Sequence, residues 1–73
     1  MDKKTIQLKT IFQKLLRIKS EDGHLKVKLN KHPFWDSLTH IRLILAVEKE
    51  FKFKIPSHQI NKLDTFNKFL EIL

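Results

Sequence analysis

The sequence predicts an all-α domain, a small four-helix bundle with a long loop between its first and second helices. Apolar residues recur at helical spacing in separate segments of the chain. Only one Gly and two Pro interrupt these segments. With 73 residues, the chain is long enough for one domain, which we place at residues 1–73. A domain of this size has too little core to enclose a deep catalytic pocket.

The first helix is predicted over about residues 4–18, followed by a helix stop and turn at residues 20–23, Ser-Glu-Asp-Gly. The apolar residues with helical spacing in this segment are Leu8, Ile11, Phe12 and Leu15. Lys and Gln separate them, as expected for an amphipathic helix with one buried face.

The loop between the first two helices spans residues 19–35, and alternating apolar residues mark its middle. Those residues are Leu25, Val27 and Leu29. Alternation is typical of a strand, but a single strand would have no partner in this chain. We therefore expect an extended loop that packs its alternate apolar side chains onto the helices. Pro33 closes the segment, because the residue before a proline is biased away from helix.

The second helix is predicted to begin at Ser37, with Asp36 as its N-cap, and to end near Glu50 or Phe51. One stripe of this helix is formed by Leu38, Ile41, Leu45 and Glu48, and it is widened by further apolar residues: Leu43, Ile44, Val47 and Phe51.

Two shorter helices are predicted in the remainder of the chain. Ser57 is the predicted cap of a brief third helix, and either Asp64 or Thr65 is the predicted cap of a fourth. The apolar residues at helical spacing in that last helix are Phe66, Phe69, Leu70 and Leu73.

The formal net charge is +7, and much of the excess lies in residues 1–20. That segment contains six Lys and Arg residues and a single acidic residue, Asp2. Either a solvated, Lys-rich helix face or a phosphate-contacting surface of a nucleic-acid-binding module would have this pattern. The chain has no Cys, no apolar run that could span a membrane and no apolar stretch of the signal-peptide type near Met1. We therefore expect a soluble, cytoplasmic monomer.

Three short motifs lie at the start of the second helix, at its end and before the third helix: Trp35-Asp36-Ser37-Leu38, Glu48-Lys49-Glu50-Phe51 and Ile55-Pro56. Together they resemble the acyl carrier protein family. The resemblance runs from Trp35 to Leu73, while the first helix and the loop agree in length and pattern. It implies a small acyl-carrier-like bundle.

The resemblance also implies a function. Ser37 would carry a covalent 4'-phosphopantetheine, and Asp36 would support the magnesium-assisted transfer of that arm. The protein would then be a carrier and not an enzyme, with no catalytic residues and no metal site of its own. Its partners would be a phosphopantetheinyl transferase and enzymes that load and use acyl groups. Fatty acyl, short hydroxyacyl and aminoacyl cargoes all remain open, as does an unmodified interaction subunit with the same fold.

The placement of Ser37 also has a physical reason that does not depend on the family. A serine at a helix N-terminus is exposed at the positive end of the helix dipole, and a phosphodiester built on its oxygen would meet a favourable field. The nearby His40 completes no credible catalytic triad with Ser37 and Asp36, because nothing indicates a pocket or an oxyanion hole.

Four residues around the motif are predicted partner contacts: Trp35, Leu38, Ile41 and Arg42. Arg42 stands where the family often has an acid, and complementary charge influences partner choice. This departure predicts specialised partner enzymes. Trp35 replaces a more usual small residue, and it either shields the arm and contacts a partner or fills the core together with Phe34. The four histidines lack metal-ligand spacing and are predicted to lie on the surface: His24, His32, His40 and His58.

Overall fold

The computed structural model describes residues 2–73 and contains four α-helices. They are α1 (Lys3–Leu15), α2 (Ser37–Phe51), α3 (Ser57–Ile60) and α4 (Phe66–Glu71). A single turn of 3₁₀ helix, Gly23–Leu25, lies in the loop between α1 and α2. This arrangement confirms the predicted all-α fold class, the four-helix bundle and the long first loop.

Helix α1 ends at Leu15, earlier than the predicted Ile18. Leu16 closes the helix as its C-cap, and Arg17 takes a left-handed backbone conformation with φ 55°. A non-glycine residue in that conformation cannot continue a right-handed helix. The side chain of Leu16 is nevertheless fully buried, so the apolar pattern continues past the end of the helix.

The core takes residues from α1, α2 and α4 and from the segments that connect them. Its fully or nearly buried apolar side chains are Leu8, Phe12, Leu16, Val27, Trp35, Leu43, Ile44, Val47, Ile55, Leu63, Phe66 and Phe69. Phe12 makes edge-to-face contacts with three aromatic rings, at centroid distances of 5.3 Å to Trp35, 5.1 Å to Phe66 and 5.4 Å to Phe69. Each such pair adds about 0.5–1.5 kcal/mol beyond the area it buries.

The long loop follows the predicted alternation only in part. Val27 is buried and Leu29 is half-buried, but Leu25 is 54% exposed because it lies in the 3₁₀ turn, where the period of two does not hold. Lys28 forms an isolated antiparallel bridge with Thr65, and the Leu29 N–H donates to the Asp64 carbonyl over 3.0 Å. These bonds attach the loop to the segment that begins α4.

Side chains cap three of the four helices. Asp2 accepts the Thr5 N–H at α1, Asp36 caps α2, and Thr65 accepts the Lys68 N–H at α4. The predicted cap at Ser57 is wrong, because Ser57 is the first residue of α3 and Pro56, which precedes it, offers no side-chain hydrogen bond.

Two histidines are buried, so the prediction that all four lie on the surface is wrong. His24 is 4% exposed and its ring meets that of Phe66 at a centroid distance of 4.5 Å. His40 is 3% exposed and lies on the inner face of α2. Within residues 2–73, no helix has both the length and the apolar character needed to cross a bilayer.

Candidate functional site

Ser37 is the first residue of the fifteen-residue helix α2, and it is exposed. Asp36 starts this helix from an extended backbone conformation. Its Oδ1 accepts the Thr39 N–H at 3.0 Å, and its carbonyl accepts the His40 N–H at 2.9 Å. Asp36 therefore satisfies two donors of the first turn and leaves the Ser37 hydroxyl at the positive end of the helix dipole.

Asp36 is charged at neutral pH. The Thr39 backbone N–H, which donates to its carboxylate, holds the pKa of Asp36 below its ordinary value of 3.8. An exposed, ionised carboxylate therefore stands directly beside the Ser37 hydroxyl. The same group caps the helix, so its structural role and its predicted role in arm transfer do not exclude each other.

Trp35 is fully buried, which overturns its prediction as a partner contact. The reason is a hydrogen-bonded chain beneath the start of α2. The indole Nε1–H of Trp35 donates to His40 Nδ1 at 3.1 Å, and His40 Nε2 lies 2.7 Å from the Ile60 carbonyl oxygen. Because the indole can only donate, Nδ1 is the acceptor, and the proton donated to the Ile60 carbonyl is on Nε2.

This chain of contacts fixes Ser37 relative to the core. It joins the residue before the Asp36-Ser37 pair to α2 through His40 and then to the end of α3 through Ile60. The backbone of Trp35 is held as well, since its carbonyl accepts the Asn30 N–H at 2.8 Å. Sequence reasoning missed this chain of contacts, and no spacing pattern in the sequence signals it.

Phe34 does not fill the core, contrary to the interpretation that paired it with Trp35. Its side chain is 43% exposed, and the Arg17 guanidinium lies 5.0 Å from the centre of its ring. This cation–π contact adds about 0.5–1 kcal/mol at an exposed position. It places a cation and an aromatic ring on the loop that leads to Ser37.

The other three predicted partner contacts are exposed. Leu38 is 61% exposed, Ile41 is 47% exposed and Arg42 also faces solvent. Leu45, which sequence reasoning did not select, is 59% exposed on the same helix. Its spacing from Leu38 and Ile41 was visible in the sequence, but the spacing alone did not show which apolar stripe of α2 is buried.

Within the described residues, Ser37 has an exposed hydroxyl, and the nearest histidine along α2 is not free to activate it. Both ring nitrogens of His40 are engaged in hydrogen bonds, so His40 is not available as a base for Ser37. Across residues 2–73, no group of three or more His, Asp or Glu side chains is placed to hold a metal ion. What the geometry offers is an exposed, well-positioned hydroxyl.

The family model described as "phosphopantetheine attachment site" matches residues 7–73, nearly the whole chain. The chain belongs to this family. Domains of this family carry a covalently attached 4'-phosphopantetheine and act as carriers, not as enzymes. No curated protein and no solved structure matches the chain at a significant level.

The start of α2 fits a phosphodiester. The Ser37 hydroxyl is exposed, and the helix behind it is long enough to have a substantial dipole. Among residues 2–73, no acceptor pairs with the Ser37 N–H, which leaves that donor available to a phosphate oxygen.

Proposed function

We propose that this carrier holds acyl or aminoacyl groups as thioesters on a phosphopantetheine arm attached to Ser37. The observation that carries the proposal is the position of Ser37, exposed at the first residue of α2 and preceded by the ionised N-cap Asp36. The match to the attachment-site family supports it. The arm, when bound, supplies the thiol on which a thioester forms, and the chain itself has no cysteine.

The residues of the chain serve this function by presenting one oxygen atom. Attachment would form one O–P bond at Ser37 Oγ and break the phosphoanhydride bond of a nucleotide-activated phosphopantetheine donor. The nucleoside phosphate would leave and the hydroxyl proton would pass to a base on the transferase, so the oxygen must be reachable from solvent. Asp36 is proposed to assist the transfer while it keeps α2 capped. The bond between Trp35 and His40 keeps the segment before Ser37 in place.

The structure supports a cargo that stays outside the helical core. The side chain that directly precedes the Asp36-Ser37 pair is Trp35, and Trp35, Phe12 and Phe69 are each fully buried. Their rings are in contact with one another at centroid distances of 5.3, 5.4 and 6.4 Å. A close-packed aromatic interior would have to separate before an acyl chain could enter it.

The proposed partners are a phosphopantetheinyl transferase and acyl-loading and acyl-using enzymes of a specialised pathway. Arg42 is exposed on α2 near Ser37, where it favours partners other than those that select an acidic helix. A cytoplasmic location and a monomeric state are part of the proposal. A nucleic-acid role is less well supported, because Lys4 and Lys9 of α1 bond within the molecule, to the Leu73 carbonyl and to Glu21.

The test is an intact-mass measurement after co-expression with a broad-specificity phosphopantetheinyl transferase. The wild-type chain is expected to gain one phosphopantetheinyl group, and Ser37→Ala is expected to gain none. Ser57→Ala is the matched control, because Ser57 is also exposed at the first residue of a helix but follows a proline. It should be loaded like the wild type. No gain with either this transferase or the transferase from the protein's own source would favour the unmodified interaction subunit.

A further inference from the structure

The loop that leads to Ser37 carries a partly exposed cluster of a cation, an imidazole and an aromatic ring. Its members are Arg17, His32 and Phe34, which we call the loop cluster. The Phe34 side chain is 43% exposed, and the Arg17 guanidinium lies 5.0 Å from the centre of its ring. The His32 ring lies at a centroid distance of 5.9 Å from the same ring. Phe34 precedes Ser37 by three residues, so their Cα atoms are at most about 11 Å apart.

A hydrogen-bonded turn presents Phe34 and His32. The Trp35 N–H donates to the His32 carbonyl at 3.1 Å, which closes a four-residue turn with Pro33 in its second position. The Phe34 N–H donates to His32 Nδ1 at 3.1 Å. Because Nδ1 accepts this bond, the ring proton of His32 is on Nε2, which makes no hydrogen bond within residues 2–73. The turn therefore fixes the backbone of Phe34 and leaves His32 with a free donor.

Arg17 occupies a backbone position where glycine is the usual residue. It follows Leu16, the C-cap of α1, and has φ 55°. The Ile18 N–H donates across it to the Gln13 carbonyl at 3.0 Å. In this arrangement, the Schellman motif, the left-handed residue is most often Gly because a Cβ is unfavourable there. The backbone geometry favours Gly over Arg at this position, so the arginine is explained by what its side chain contacts.

The Arg17 guanidinium has no acidic partner in the described part of the chain, because the ion pairs found there join other residues. Its contact with Phe34 uses the positive charge and not the N–H donors. A guanidinium has five such donors in a planar fork, which matches the two oxygens of a carboxylate. The loop cluster therefore combines a free fork, a second donor on His32 and an apolar ring.

We propose that the loop cluster binds the terminal carboxylate of an ω-carboxyacyl cargo. The carboxylate accepts hydrogen bonds from the Arg17 guanidinium and from His32 Nε2–H, and the methylenes of the cargo lie against the Phe34 ring. Contact with both the guanidinium and the ring, which are 5.0 Å apart, requires more than the single methylene of a malonyl group. The inference deepens the proposed function and rests on it, because the cargo reaches the loop cluster only from an arm on Ser37.

Other groups match the loop cluster less well. A saturated fatty acyl group would contact the ring and leave the guanidinium without an acceptor. An aminoacyl group has an ammonium ion, which the Arg17 guanidinium repels. The phosphodiester of the arm itself is bonded to Ser37 Oγ, where the N-terminus of α2 already favours a negative charge. A carboxylate at the far end of the cargo is the group that uses all three side chains.

The test compares acyl groups with and without a terminal carboxylate on the ¹⁵N-labelled full chain. A broad-specificity phosphopantetheinyl transferase loads the unmodified protein from glutaryl-coenzyme A, from pentanoyl-coenzyme A or from malonyl-coenzyme A, and intact mass verifies each product. The pentanoyl group has the same number of carbon atoms as the glutaryl group, with a methyl group in place of the carboxylate.

Two variants separate the guanidinium from the backbone conformation and the net charge. Arg17→Gly removes the guanidinium and supplies the residue that the left-handed position favours. Lys52→Gly is the matched control, because Lys52 is also exposed, has φ 57° directly after α2 and carries one positive charge.

Relative to the pentanoyl form, the glutaryl form is expected to shift the signals of the Arg17 side-chain N–H groups and of the amides of residues 32, 34 and 35. The shifts should be smaller for the malonyl form and should diminish as the salt concentration rises. They should be lost in Arg17→Gly and kept in Lys52→Gly. In a ¹³C-labelled glutaryl group, the pKa of the free carboxyl should be lower in the wild type than in Arg17→Gly, because a nearby cation favours the ionised form.

Equal shifts in the glutaryl form and in either of the other forms, shifts that persist in Arg17→Gly, or an equal loss in Lys52→Gly would overturn the proposal. So would the same shifts produced by free glutarate on the unloaded chain at an equal concentration, because they would indicate a general anion site. A chain that gains no mass would overturn the proposed function and this inference with it, whereas a loaded chain without these shifts would overturn the inference alone.

Discussion

At the scale of single residues, Trp35 and His40 fix the position of Ser37. Trp35 is the largest of the fully buried side chains, and its indole N–H bonds to a histidine that in turn bonds to the backbone of α3. Each polar atom in this chain has a partner, so the arrangement stabilises the fold without leaving a buried donor or acceptor unpaired.

Trp35→Phe should therefore destabilise the protein more than its loss of apolar area suggests. The substitution removes the indole donor and leaves His40 Nδ1 buried without a partner, which costs about 1–3 kcal/mol. Urea denaturation followed by far-UV circular dichroism measures the change. Lys31→Ala, at an exposed residue of the same loop, should stay within about 0.5 kcal/mol of the wild type. Equal stability of Trp35→Phe and the wild type would contradict the role given to this bond.

His24 is a buried ring of a different kind. Its Nδ1 has no hydrogen-bond partner among residues 2–73, and the ring packs against Phe66. Burial, with the nearby charge of Lys9 as a second cause, lowers the pKa of His24 below its ordinary value of 6.5. The folded state therefore favours the neutral ring, whereas the unfolded chain takes up a proton near the ordinary value.

The free energy of unfolding should consequently fall with acidification. The contribution of His24 is fully present above 6.5 and is lost as the pH falls below that value, because only the unfolded chain binds the proton readily. Melting temperatures between about pH 7.5 and about pH 5 measure this. His24→Leu should flatten the dependence, while His58→Leu, at an exposed histidine, should leave it unchanged. If the melting temperature of His24→Leu depended on pH as steeply as that of the wild type, another group would be responsible.

At the scale of elements, α2 combines a capped start with Ser37, the proposed attachment residue. Asp36→Ala removes the side-chain acceptor of the Thr39 N–H and should lower the melting temperature by a few degrees. Asp36→Asn keeps a capping oxygen and should restore the melting temperature. If the carboxylate also assists arm transfer, Asp36→Asn should still be loaded more slowly than the wild type in a time course of intact mass. If Asp36→Asn were loaded at the wild-type rate, Asp36 would cap α2 without assisting arm transfer.

Much of the element pattern is readable from the sequence, since helical spacing and cap residues place α1, α2 and α4 and the Asp36-Ser37 start. The early end of α1 is not readable, because it depends on the left-handed backbone of Arg17. The exposure of Leu25 depends on a 3₁₀ turn that has no periodic signature. The burial of His24 and His40 depends on tertiary neighbours, Phe66 for one and Trp35 with Ile60 for the other. Sequence spacing does not reveal such contacts.

At the scale of the whole molecule, a filled aromatic interior coexists with a basic, partly apolar exterior. The rings around Phe12 occupy the interior, while the exposed side of α2 carries three apolar side chains and two cations: Leu38, Ile41, Leu45, Arg42 and Lys49. This division suits a carrier. The packed interior holds the start of α2 in place, and the exposed side of α2 is the surface that we propose partner enzymes contact. Ser37 is the first residue of α2, the helix that contributes side chains both to the interior and to this exposed surface.

The most direct measurement is the position of the arm on the protein loaded by the transferase from its own source. Trypsin cleaves after Lys31 and Arg42, so Ser37 falls in a peptide of residues 32–42 whose only other hydroxyl belongs to Thr39. Fragmentation of that peptide should place one phosphopantetheinyl group on Ser37, and the peptides that contain Ser20 and Ser57 should be unmodified. A group found on Thr39 or on another serine, or a chain that gains no mass, would contradict the account.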